Sequence, residues 1–60
     1  MNKWKVIVFS TGGGSYYKQY RGLSTWEKPI NGPETGDELF EIDTGKAYLF
    51  DGENKIWYEL

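Results

Sequence analysis

Glu38-Leu-Phe-Glu-Ile-Asp-Thr-Gly-Lys-Ala-Tyr-Leu-Phe-Asp-Gly-Glu-Asn-Lys-Ile-Trp-Tyr-Glu59 decides the fold of this chain. Short runs of aromatic and aliphatic residues are separated by Asp43-Thr-Gly45 and Asp51-Gly-Glu-Asn54, which is the pattern of three strands and two tight turns. A two-residue turn at Thr44-Gly45 sets Asp43 opposite Lys46 as an ion pair, Ile42 opposite Ala47 and Phe40 opposite Leu49. A three-residue loop with Gly45 in a left-handed bulge is the competing geometry. The second turn, built on Asp51 and Gly52, brings Leu49 near Ile56 and Ala47 near Tyr58. One face then carries Phe40, Ile42, Ala47, Leu49, Ile56 and Tyr58. The other carries Leu39, Glu41, Tyr48, Phe50, Lys55, Trp57 and Glu59, three rings among charges, a composition suited to a surface that is partly covered or covered by a partner.

Working back from that meander, Lys3-Trp-Lys-Val-Ile-Val-Phe9 is β-branched and aromatic without helical spacing, so it predicts a further strand. Beyond Lys5 both of its faces are apolar, which suits a central strand or one at an interface. Gly12-Gly-Gly14 predicts a wide turn into a second strand over Tyr16–Arg21, with Tyr16, Tyr20 and Trp26 able to share a face. From Gly22 to Asp37 the chain has loop chemistry, with Pro29, Pro33, Gly32, Gly36 and Asn31. Trp26 and Ile30 are its sizeable apolar anchors and are expected to pin it to the sheet. The expectation is an all-β fold: a single small domain over 1–60, an antiparallel sheet of four to five strands ending in the three-stranded meander.

Sixty residues bury only about 60% of the surface that the unfolded chain exposes, so the core starts out marginal. With no Cys and no His, disulfides and the usual zinc sites are unavailable as staples. Oligomerisation or docking on something larger is the remaining remedy. Net charge is −2, from 9 acidic and 7 basic residues spread along the chain, so no strong field draws nucleic acid or an anionic membrane. No apolar run reaches the roughly 20 residues of a transmembrane helix, and Trp4–Phe9 lacks the marks of a signal peptide. The expected site of synthesis is the cytoplasm.

The same composition removes imidazole and thiol catalysis. Glu38, Glu41 and Asp43 lie close in sequence, yet they read as solvated strand and turn charges, and so small a domain leaves no room for a two-carboxylate cleft. Thr11-Gly-Gly-Gly-Ser15 lacks the Lys and the following helix of a phosphate loop. Asp51-Gly-Glu-Asn54 lacks the alternating ligands of a calcium loop. No enzyme activity, metal or cofactor is therefore expected. The rings invite base stacking, which needs a basic groove, or stacking on proline-rich peptides or glycans, which needs only exposure. Core packing combined with a protein interface accounts for most of them.

Gly36-Asp-Glu-Leu-Phe-Glu-Ile-Asp-Thr-Gly-Lys-Ala-Tyr-Leu-Phe-Asp, closing with Trp57, resembles a recurring meander of small proteins from the structural gene regions of tailed bacteriophages and prophages of Gram-positive hosts. The likeness spans Gly36 to Glu59, and residues 1–35 have no part in it. It implies a virion component, in capsid, neck or tail, made in the host cytoplasm and assembled with other virion proteins or with itself. The stretch also looks faintly like a WW domain, through Thr44-Gly45-Lys46, Tyr48 and Trp57. It departs from that family in having Phe40 in place of the first Trp, in a short Tyr-to-Trp interval, and in lacking the His and the closing Pro. The functional expectation is docking through Trp4, Trp26, Tyr48, Phe50 and Trp57, with Asp43, Gly45, Lys46, Asp51 and Gly52 shaping the turns. The alternative is a small peptide- or glycan-binding module that uses the same rings, and a small regulator of a host protein is a third class.

Overall fold

The computed structural model describes residues 3–60. Its strands are β1 (Lys5–Gly12), β2 (Ser15–Gly22), β3 (Glu38–Glu41), β4 (Ala47–Asp51) and β5 (Ile56–Glu59). They form one all-β sheet in the order β1-β2-β3-β4-β5. All neighbours are antiparallel except β2 and β3, which run parallel. A parallel pair needs a crossover, and residues 23–37 supply it without a helix.

The first hairpin is longer than the sequence predicts. β1 begins at Lys5 instead of Lys3 and continues through Ser10 and Thr11 to Gly12, while β2 spans Ser15 to Gly22. Gly12, Gly13 and Gly14 take φ of 85°, 61° and 86°, a run that side chains would strain, so the glycines let the strands extend to the tip. β1 lies at the edge of the sheet, not at its centre.

In the meander the strands and face parity agree with the sequence reading, but the register differs by two residues at both turns. Phe40 stands opposite Ala47 and Glu38 opposite Leu49; Leu49 stands opposite Tyr58 and Asp51 opposite Ile56. The first connection is a four-residue loop over 42–45, closed by Glu41 N–H donating to Lys46 O at 2.9 Å. Gly45 N–H donates to Glu41 O at 2.8 Å, with Gly45 at φ 75°. Asp43 does not pair with Lys46. It accepts from Ser24 N at 2.9 Å and Ser24 Oγ at 2.6 Å, so a carboxylate read as a hairpin partner ties the crossover to the turn. Lys46 instead approaches Glu59 at 4.0 Å. In the second turn Asp51 Oδ1 accepts from Glu53 N and Asn54 N, the Asx arrangement that makes Asp a turn former. The Asn54 side-chain amide beside Asp51 holds its carboxyl below the usual range.

The core lies between one face of the sheet and the crossover. Leu39 is fully buried, and Trp4, Tyr20 and Phe50 nearly so; Trp26, Tyr48 and Trp57 pack around them. Trp4 meets Trp26 edge-on at 5.8 Å, and Tyr20 meets Trp57 edge-on at 5.9 Å, the arrangement that ring quadrupoles favour. Gly22 lies under the two indoles, where a Cβ would stand 2.7 Å from the Trp26 ring.

Candidate association surfaces

Residues 27–29 form a strap across the core. Lys28 precedes a proline, which restricts it to extended backbone, and in extended chain the carbonyls of residues i and i+2 point the same way. Both are used. Trp4 Nε1 donates to Glu27 O at 2.8 Å, and Trp57 Nε1 donates to Pro29 O at 2.7 Å. Between them the Lys28 ammonium reaches Glu41 at 2.7 Å and sits 4.8 Å from the Tyr48 ring centroid.

Two buried carboxylates complete the attachment. Glu41 is only 3% exposed, in contrast to the solvated strand charge expected for it. It accepts from Lys28 and, at 2.6 Å, from Thr44 Oγ1. The Lys28 hydrogen bond, followed by that from Thr44, holds its carboxyl below the ordinary 4.5, against the opposing effect of burial. Asp37 accepts from Lys18 N at 3.0 Å and Glu34 N at 2.8 Å, and Lys18 Nζ lies 3.4 Å from it while also donating to Gly32 O at 3.0 Å. Ile30, expected to anchor the loop, is largely exposed. Polar bonds and Trp26, not Ile30, hold the crossover down.

Of the residues expected to dock on a partner, Trp26 belongs to this covering and the others are buried or half-buried beside it. Trp4 and Phe50 are buried, and Trp26, Tyr48 and Trp57 pack on the core. The face mixed with charges is the one the chain covers for itself, because Lys28 supplies the counter-charge that Glu41 needs. Asp43, Gly45, Lys46, Asp51 and Gly52 do lie in or beside the two turns. Gly52 is additionally pressed on the crossover: its N–H donates to Thr35 Oγ1 at 2.8 Å, and a Cβ there would meet that oxygen at 2.8 Å.

The opposite, outer face has no covering among the described residues. A polar seam runs along its middle, in which Arg21 Nε donates to Gln19 Oε1 at 2.6 Å and Gln19 Nε2 donates to Glu38 Oε1 at 3.0 Å. To one side lie Ile7 and the Phe9–Tyr17 pair, stacked at 5.3 Å and 19°. To the other lie Phe40, Ala47, Leu49, Ile56 and Tyr58, the last 53% exposed. Ile42, 61% exposed, joins Gln19, Arg21 and Phe40 around a shallow depression of about 360 Å³. The sequence groups these apolar residues on one face correctly; the unforeseen part is that this face, not its opposite, stays open.

A second open feature is the outer edge of β1, with Val6 and Val8 exposed on the strap side beyond the reach of residues 27–29. No family model, curated protein or solved structure matches the chain.

Proposed function

We propose that this chain is a non-enzymatic structural or accessory protein of a phage particle, acting by docking its sheet on neighbouring virion subunits. One observation carries the association: the outer face leaves Phe40, Ile42, Leu49, Ile56 and Tyr58 in contact with solvent while the crossover is spent on the other side. Contiguous apolar surface of this kind on a small protein marks an interaction site. Arg21, Gln19 and Glu38 give it a polar seam that a partner must match, which supplies specificity. The particle setting rests on the likeness of Gly36–Glu59 to small virion proteins. Modest contacts suffice there, because repetition on a lattice converts weak binding into avidity. Use of the aromatic rings to grip a peptide or glycan has less support, since Trp4 and Phe50 lie within the core.

The test is incorporation into purified particles. Tyr58→Lys and Ile42→Lys each weaken incorporation by an amount corresponding to about 1–2 kcal/mol per contact, with unchanged thermal unfolding, whereas Glu53→Ala incorporates as the parent does. Equal incorporation of all three, or absence of the parent protein from particles, overturns the reading.

A further inference from the structure

The two edges of the sheet are built differently. The β5 edge is four residues long, ends in Glu59 and is preceded by Lys55 at φ 56°, with the Lys46–Glu59 pair alongside. Short length and flanking charge are the usual protections of an edge. The β1 edge is eight residues long, and its Val6-Ile-Val-Phe9 segment carries neither charge nor proline. Among the described residues no strand pairs with its outer side. Its side chains are open on both faces: Val8 is 61% exposed, Val6 is exposed, and Ile7 and Phe9 are half-buried. An unpaired row of amides and carbonyls flanked by β-branched residues is a template for strand addition.

We propose that β1 is a self-pairing edge, to which a second copy of this chain adds its own β1 antiparallel, joining the two five-stranded sheets about a twofold axis. The occupant follows from the strand's own composition. An apolar, uncharged, β-branched segment is the partner that Val6–Phe9 fits, and Val6–Phe9 is such a segment. Antiparallel twofold pairing sets residues of the same face opposite one another. Centred on Ile7, it sets Val6 of each copy opposite Val8 of the other on the strap side and Ile7 opposite Ile7 on the outer side; centred on Val8, it sets Val8 opposite Val8 and Ile7 opposite Phe9. The one charge in the strand, Lys5, is carried to opposite ends of the pair. The two Lys5 Cα positions end about 14–20 Å apart along the strands, beyond the ~8–10 Å over which salt screens exposed charges. Pairing therefore costs no like-charge repulsion. Phe40, Ile42, Leu49, Ile56 and Tyr58 lie away from the β1 edge and stay free for the docking proposed above.

The experiment uses the full chain. Sedimentation of the parent protein over a concentration series should show a reversible dimer. In hydrogen exchange the outward amides of β1 should slow as concentration rises. Val8→Lys places a charge at the centre of the pair and shifts the equilibrium toward monomer by about tenfold or more, while circular dichroism stays that of the parent because Val8 is exposed. Tyr58→Lys, on the outer face, leaves the dimer intact. As the chain has no Cys, Ile7→Cys or Val8→Cys, whichever sits on the axis, should oxidise to a covalent dimer. A parent that stays monomeric with β1 exchange independent of concentration overturns the proposal. So does a dimer that survives Val8→Lys and forms no cross-link through either cysteine. A dimer lost in Tyr58→Lys but kept in Val8→Lys assigns self-association to the outer face instead and likewise overturns it.

Discussion

Gly22 and Glu41 stand opposite one another on β2 and β3, and each is required for a different physical reason. Under the edge-to-face indoles of Trp4 and Trp26 there is no space for a methyl group, and the rings cannot retreat because Trp4 is bonded to the strap. Gly22→Ala should therefore cost about 1–3 kcal/mol by overpacking, read as a lower denaturant midpoint at unchanged slope. Glu41 is a buried charge made tolerable by Lys28 and Thr44. Its folded pKa lies below the ordinary 4.5, so its contribution is present above that value and disappears as pH falls through the lower, folded one. Glu41→Gln should cost about 1.5–3 kcal/mol at neutral pH. Urea unfolding as a function of pH should show the parent and variant converging below pH 4.5. A gap that stays constant into strong acid would mean that the Lys28 bond is not what stabilises the carboxylate.

At the level of elements, the strap over residues 27–29 acts as a unit. The two indole N–H groups grip carbonyls on either side of Lys28, and Lys28 itself reaches down between them. Trp57→Phe keeps most of the ring and removes one grip. It should cost about 1–3 kcal/mol, the range for leaving a part-buried carbonyl short of a partner plus lost packing. Amide exchange should then rise at Trp26, whose N–H donates to Leu23 O at 3.0 Å, before it rises in β3 or β4. The strands of the meander were legible because Phe40, Tyr48, Phe50 and Trp57 alternate with their neighbours and Asp and Gly punctuate them. Its register was not, because Asp43 has two chemically equal uses, bonding to Lys46 across a tight turn or to Ser24 in the crossover. Only the three-dimensional course of residues 23–37 decides between them. For the same reason Glu41 read as solvated: its partner Lys28 is distant in sequence and brought in by the strap.

For the molecule as a whole, the decisive quantity is how one crossover is allotted between two sheet faces. Sequence alternation separates the faces correctly, yet it cannot say which one the crossover covers. Raw hydrophobicity favours covering Phe40, Ile42, Leu49 and Ile56. The chain instead covers the face where Lys28, Trp4 and Trp57 find polar partners, since unpaired polar groups under cover cost more than exposed aliphatics. The parallel pairing of β2 with β3 follows from the same course and has no local signature. The residues of each face were thus visible as groups, whereas which group the crossover covers was not.

The strap contacts have a practical consequence. The chain holds three indoles, and two of them donate to carbonyls of the strap. Their emission wavelength responds to polarity and hydrogen bonding at the ring nitrogen, so lifting the strap shifts the colour of the protein's own ultraviolet fluorescence. The molecule carries an optical gauge of its crossover, usable without any attached dye.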